Sequence, residues 1–199
     1  MSTEADIGDR IAARVKELRK ERGYSLDVLA ARSGVSRSAI STIERAETSP
    51  TAVVLEKLAT GLAVPLAALF ETAGAPEAPS PIARKADQQR WRDPQSGYVR
   101  RSVSPPHWPS PIRITEVEFP AGASVSYETA DRDVEIHQQV WVLSGEIEVT
   151  VGDETHRLNA GDCLAMQVDR PITYRNDTGA KARYAVVLVT ERLAARRVS

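Results

Sequence analysis

Three histidines and one cysteine are the side chains of this 199-residue chain best suited to soft metal ligation or nucleophilic attack. Their spacing offers neither chemistry. His107 lies in the proline-rich run PPHWPSP and His156 stands just before Arg157 in DETHRL, so each reads as a surface residue. A divalent transition-metal site needs three or four converging donors, and no pair of these histidines is set for that by sequence. Cys163, in GDCLAMQ, reads as a small buried strand residue. An apolar setting raises a thiol pKa, and no histidine is placed to activate it. No cofactor and no metal are therefore expected. A single cysteine excludes an internal disulfide, and the polar start MSTEADIGDR lacks the basic and apolar regions of a secretory signal. Both observations fit a reducing cytoplasm.

Charge does not announce a partner. The net charge is -1, and residues 1–71 carry 10 basic and 10 acidic side chains, whereas many nucleic-acid binders are strongly basic because phosphate contacts supply much of their affinity. Hydrophobic residues make up 42% of the chain, and no apolar run approaches the roughly 18 residues needed to span a bilayer. A soluble chain that does not enter a membrane is expected.

The elements divide into two periods. From Ile7 to Phe70 apolar residues recur at helical spacing: Ile7, Ile11, Val15 and Leu18; Leu26, Leu29 and Ala30; Ile40 and Ile43; Leu55, Leu58, Ala59 and Leu62. This predicts four helices, with a fifth from Pro65. Gly23 ends the first, Ser25 and Ser36 can cap the second and third, and Pro50-Thr51 opens the fourth. TAGAPEAPSP, residues 72–81, has no periodicity and reads as a stiff linker. Beyond it come short β-prone runs between turns, among them RWRD, YVRRSVS, IRITEVEF, VSY, VWVLSG, EIEVTVGDETHRL, NAGDCLAMQ, ITYRNDTGAK and RYAVVLV. Such a series predicts a sandwich or small barrel. The division is thus 1–71, a 72–81 linker, and 82–199.

SLDVLAARSGVSRSAISTIERAETSP places two short helices around Ser33-Gly34-Val35, and Gly34 can take the left-handed conformation that a sharp turn requires. The stretch resembles the helix-turn-helix domain of lambda-type and Cro-type repressors, the XRE family, over about residues 8–70. The resemblance implies a five-helix bundle whose second motif helix enters the major groove. It assigns Arg37, Ser38 and Thr42 to base edges, and Ser36, Ser41 and Arg45 to phosphates or the groove wall. Arg37 could donate two hydrogen bonds to guanine, and Ser38 and Thr42 can donate or accept. It also pairs Arg19 with Glu44. Two positions depart from the family pattern: Leu26 stands where a phosphate-binding Gln is common, and Ala46 where a capping Gly is common.

QQVWVLSGEIEVTVGDETHRLNAGDCLAMQVDRPITYRN, with Gly145, Gly152-Asp153, Ala160-Gly161-Asp162, Pro171 and Asn176, resembles the cupin superfamily. The resemblance implies a double-stranded β-barrel of the jelly-roll type. The positions that hold metal ligands in metal-dependent cupins are occupied here by about Arg132, Val134, Gln138 and Ile172, which do not form a ligand set. Strand alternation turns His137 to the face opposite Gln138. The same alternation places Val134, Ile136, Gln138, Val140 and Val142 on one inward face, and Ile172 and Tyr174 on another, with Met166 as a further candidate. This lining is apolar with a few polar handles and suits a small-molecule effector.

Together these features describe an α + β two-domain, cytoplasmic and nucleoid-associated transcriptional regulator. Its expected partners are a double-stranded DNA operator, a second copy in a homodimer, and an unidentified small-molecule effector. Two alternatives stay open: a constitutive repressor whose barrel only dimerises, and a cupin enzyme with an accessory helical domain.

Overall fold

The computed structural model describes residues 4–71, 79–128 and 134–192. Its amino-terminal part, the head, holds four α-helices: α1 (Glu4–Glu21), α2 (Leu26–Ser33), α3 (Arg37–Glu44) and α4 (Ala52–Gly61). Hydroxyls set three of the starts. The side chains of Ser25, Ser36 and Thr51 accept from the backbone N–H of Val28, Ala39 and Val54, satisfying donors that a helix start leaves without partners. The periodic stripes converge on a core in which Val15, Leu29, Ile40, Leu55, Leu58 and Leu62 are fully buried. Each such side chain stabilises the fold by about 1.5–3 kcal/mol.

The expected fifth α-helix is instead a 3-10 helix, Leu66–Phe70. Its bonds run from Ala68 N to Pro65 O at 2.9 Å and from Glu71 N to Ala68 O at 3.4 Å. Pro65 flanks it with an extended ψ of 149° rather than opening an α-turn. Five residues are too few to establish an α-helical ladder, and Leu69 and Phe70 are fixed by burial. At the ends of α3 and α4, Ala46 and Ala63 take the left-handed conformation at φ 56° and 51°. After α3, Ala46 N donates to Ile43 O at 2.9 Å and Glu47 N to Thr42 O at 3.0 Å, closing the helix although the residue is not glycine.

Ten strands follow: β1 (Arg90–Arg92), β2 (Val99–Ser102), β3 (Ile112–Phe119), β4 (Ser124–Tyr127), β5 (Val134–Ser144), β6 (Glu146–Val151), β7 (Glu154–Asn159), β8 (Cys163–Gln167), β9 (Ile172–Arg175) and β10 (Ala182–Arg192). They form a six-stranded sheet in the order β1-β2-β3-β10-β5-β8 and a four-stranded sheet in the order β4-β9-β6-β7. Gly145, at φ 78°, carries the chain from β5 in one sheet to β6 in the other. A Cβ there would lie 2.8 Å from Lys181 O, so a side chain does not fit. Val140, Val142, Ile147, Val149 and Phe119 belong to the apolar core between the sheets. Among the described residues no ladder joins the sheets, so the jelly-roll expectation is met by a two-sheet sandwich and not by a hydrogen-bonded barrel. The edge strands β1, β8, β4 and β7 are only three to six residues long, which limits their capacity to lap across.

Cys163 is exposed, contrary to the buried position expected for it. β8 is an edge strand whose alternation turns Leu164 and Met166 inward, so the odd positions face out. Cys163 pairs there with Trp141, itself half exposed.

The head docks on the strands through specific contacts. Asp93, after β1 and 2% exposed, accepts with Oδ1 from the N–H of Ala52, the first residue of α4, at 2.8 Å. Phe70 meets Trp91 edge-on with centroids 5.5 Å apart. Glu71 lies 3.7 Å from Arg14 of α1 and 3.5 Å from Arg113 of β3. Of the expected linker, residues 72–78 lie outside the described residues, and 79–81 adopt no regular structure.

Candidate nucleic-acid interface and effector cavity

The turn between α2 and α3 is built as the motif requires. Gly34, at φ 68°, donates to Ala30 O at 2.9 Å and reverses the chain in one residue. Ser33 Oγ donates to Leu29 O at 2.7 Å and accepts from Val35 N at 3.2 Å. One face of α3 buries Ile40 and Ile43. The site residues lie on the remainder: Ser36, Arg37, Ser38 and Arg45 are exposed, and Ser41 and Thr42 half-buried.

These six groups are mostly engaged within the protein. Ser36 Oγ caps α3 and lies 3.2 Å from Ser38 Oγ. Thr42 Oγ1 donates to Ala39 O at 2.9 Å and accepts from Thr48 Oγ1 at 3.4 Å, which leaves one lone pair available. Arg37 Nε rests 3.1 Å from Asp27 Oδ1 of α2, both exposed. Arg45 donates to Ser41 Oγ and forms a two-pronged contact with Glu47 at 2.6 and 2.8 Å. The hydrogen bond raises the Arg45 pKa and lowers that of Glu47. Behind the helix, Arg19 grips Glu44 through Nε at 2.6 Å and Nη2 at 2.7 Å, and donates from Nη1 to Tyr24 O at 2.9 Å. This bidentate pair, with Glu44 only 7% exposed, fixes α3 against α1.

Between the sheets lies a cavity of about 100 Å³. Ile136, Gln138, Ile172 and Tyr174 line it. Gln138 Nε2 donates to the Tyr174 hydroxyl at 2.6 Å, which positions both polar groups beside Ile136 and Ile172. Val140 and Val142 lie in the core rather than on the wall, and Met166 contributes to a separate depression beside β7. The side chain of Val134, like Arg132, lies outside the described residues. His137 is on the outer face near Glu135, at 3.8 Å, with Glu191 in the same exposed group.

Sequence reasoning missed a second set. Tyr98, just before β2, Arg100 on β2 and Thr115 on β3 also line the cavity, and all three are buried. Tyr98 and Tyr127 place their hydroxyls 3.1 Å apart. Arg100 Nη2 donates to Thr115 Oγ1 at 3.1 Å, and its guanidinium lies 4.1 Å from the centre of the Phe70 ring. Burial lowers the Arg100 pKa and raises those of Tyr98, Tyr127, Tyr174 and Tyr184. The head completes the wall with Glu56 of α4 and with Pro65, Leu66 and Ala67. At the rim, Lys57 of α4 lies 3.9 Å from Glu128. The two-residue spacing of Tyr98 and Arg100 was the available signal for one inward-facing strand.

A cupin fold raises the question of a metal, and the wall does not fit one. Gln138 and Ile172 occupy the strand positions from which ligands would point inward, Gln138 is bonded to Tyr174, and among the described residues no imidazole lines the cavity.

The fold and these two sites define a protein with a helix-turn-helix head and a cupin sheet domain. A helix-turn-helix family matches residues 15–69 and a cupin domain family residues 115–189. The chain is 30% identical to the HTH-type transcriptional regulator SutR of Escherichia coli K12 over 166 residues, 83% of this chain and 86% of SutR. It is 27% identical to the HTH-type transcriptional regulator PuuR of the same organism over 182 residues, 90% of this chain and 94% of PuuR. An HTH_3 family transcriptional regulator from Vibrio cholerae, known from its crystal structure, superposes with a TM-score of 0.76 and 27% identity, covering 96% of this chain and 100% of that one. The chain belongs to this family of cupin-containing HTH-type transcriptional regulators and is a DNA-binding regulator. Among the described residues no helix is long and apolar enough to cross a membrane.

Proposed function

We propose that this regulator is controlled by a small organic effector bound in the cavity, and that it acts as a cytoplasmic homodimer on an inverted-repeat operator. The observation that carries effector control is the mixed origin of the cavity wall. Gln138, Tyr174 and Arg100 come from the sheets, whereas Glu56 and Leu66 come from the head. A ligand there touches the DNA-binding part directly, so its differential contacts with docked and released heads shift the population of DNA-competent forms. Among the described residues the wall sets its carboxylates, Glu56 and Glu128, beside no imidazole or thiolate, and a pocket of this kind suits ligand binding. The division into a 1–71 head, a 72–81 linker and an 82–199 effector and dimerisation domain follows the change from helices to strands.

Two-fold assembly presents two α3 helices to half-sites one helical turn apart. The outer face of the six-stranded sheet supports a second copy, since Trp141 and Ile112 are 50% and 44% exposed there and pair with Ala185 and Val189 of β10.

On DNA, Arg37 exchanges Asp27 for a base edge, and Arg45 exchanges Glu47 for a phosphate. The test is binding of Arg37→Ala and Arg45→Ala to an operator found by genome-wide footprinting and to random duplex. Arg37→Ala should lose about 1–3 kcal/mol of discrimination at one base pair, while Arg45→Ala should weaken both duplexes alike and reduce the salt dependence. An unchanged specificity ratio in Arg37→Ala would refute the assignment. Light scattering that reports a monomer at micromolar concentration would refute the dimer.

A further inference from the structure

Arg100 is the feature of the cavity that neither apolar lining nor fold explains. It is 6% exposed, and among the described residues no carboxylate forms an ion pair with it. Its Nε–H has no hydrogen-bond partner. A guanidinium stays protonated at neutral pH, and a buried charge with no ion-pair partner in contact is unfavourable, even with Glu56 on the same wall acting on it through space. At contact distance the described residues supply one hydroxyl, from Thr115, and one ring face, from Phe70, which leaves the guanidinium fork without a bidentate acceptor. The planar fork of a guanidinium matches the two oxygens of a carboxylate, and the Tyr98–Tyr127 phenol pair on the same wall, with one O–H used between them, leaves one further donor.

Size narrows the ligand. A cavity of roughly 150 Å³ holds benzene, so one of about 100 Å³ suits a smaller molecule. We propose that the cavity binds a small organic carboxylate of about four to six heavy atoms, with its carboxylate on Arg100 and its apolar remainder against Ile136 and Ile172. This rests on the effector-controlled reading and names its ligand class. The same guanidinium stacks on Phe70, at the end of the head, so a carboxylate that draws Arg100 toward itself alters a contact by which the head is docked.

The experiment uses the full chain in chloride buffer, with thermal melting and calorimetric titration against propionate, propanamide, propylamine and alanine. Propionate should raise the melting temperature saturably, and propanamide and propylamine should not. Arg100→Gln should weaken propionate binding by about tenfold to a hundredfold. Arg100→Met, which removes the buried charge, should melt at or above the wild-type temperature without ligand and show no response to propionate. A purely structural Arg100 would lower that melt. If alanine binds more tightly than propionate and Glu56→Gln removes the gain, the carboxylate is held as proposed and the ammonium lies at Glu56. Binding of propanamide or propylamine that is indifferent to Arg100→Gln would overturn the carboxylate assignment while leaving effector control standing. Failure of all four probes to bind would overturn the carboxylate assignment and remove the support that this cavity gives to effector control.

Discussion

Replacing Asp93 by alanine removes the carboxylate that joins the sheets to the start of α4. Its Oδ1 accepts from the buried Ala52 N–H at 2.8 Å, and its Oδ2 from Ser96 N at 2.8 Å and Ser96 Oγ at 2.5 Å. A hydrogen bond to a charged acceptor contributes about 1.5–3 kcal/mol, and an anion at a helix start adds about 0.3–1 kcal/mol. The loss should therefore be about 2–4 kcal/mol, and at about 2–4 °C per kcal/mol for a chain of this length the melt should fall by about 4–16 °C. Ser96→Ala is the control, because it removes only the hydroxyl's bonds to Asp93 Oδ2 and from Tyr98 N and leaves the link to Ala52, and it should cost about 0.5–1.5 kcal/mol. Hydrogen exchange localises the effect: amides at the start of α4 should lose protection in Asp93→Ala before those of β5 and β6. The reasoning fails if Asp93→Ala melts within about 1 °C of the parent, or if Ser96→Ala costs as much.

Ala46→Gly should stabilise the protein by about 1 kcal/mol, because its φ of 56° is unfavourable for any residue with a Cβ, and Ala63→Gly at 51° should add a similar gain; chemical denaturation of both variants checks this. Asp27→Ala, by releasing Arg37, should strengthen operator binding by up to about fivefold, and a weaker complex in gel-shift titration would count against the exchange of partners. Burial holds the phenols of Tyr98, Tyr127, Tyr174 and Tyr184 above their ordinary value of 10.0. The folded state therefore keeps protons that the unfolded state loses, so this contribution to stability is intact below about pH 10 and declines above it; denaturation at pH 9 and pH 11 with phenolate absorbance tests the sign.

The head was legible because its signals are local. Ser25, Ser36 and Thr51 cap the helices their positions announce, and the apolar spacing from Ile11 to Leu62 is the core itself. Strand alternation likewise put Ile136, Gln138, Ile172 and Tyr174 on inward faces. The 3-10 geometry of Leu66–Phe70 was not legible, since apolar spacing over five residues does not separate two helix types that differ in hydrogen-bond reach. Alternation gives two faces but not which faces in, and at Cys163 the edge strand resolved that the other way. Glu56 on the cavity wall had no sequence signal, because its place depends on how α4 docks against strands tens of residues away.

The shared wall bears on how regulators of this family diversify. Were the cavity enclosed by strands alone, a head could be exchanged for another with a new operator preference and the ligand would be sensed as before. Here Glu56, Leu66 and Phe70 belong to the exchanged piece, so under the proposed effector control a transplant would alter chemical selectivity together with operator choice. Chimeras cut at the linker would then inherit ligand affinities matching neither parent, unless those three positions travel with the sheets. Substitutions that retune the response are accordingly constrained from two directions, and paralogues should vary in concert at the head's underside and at β2.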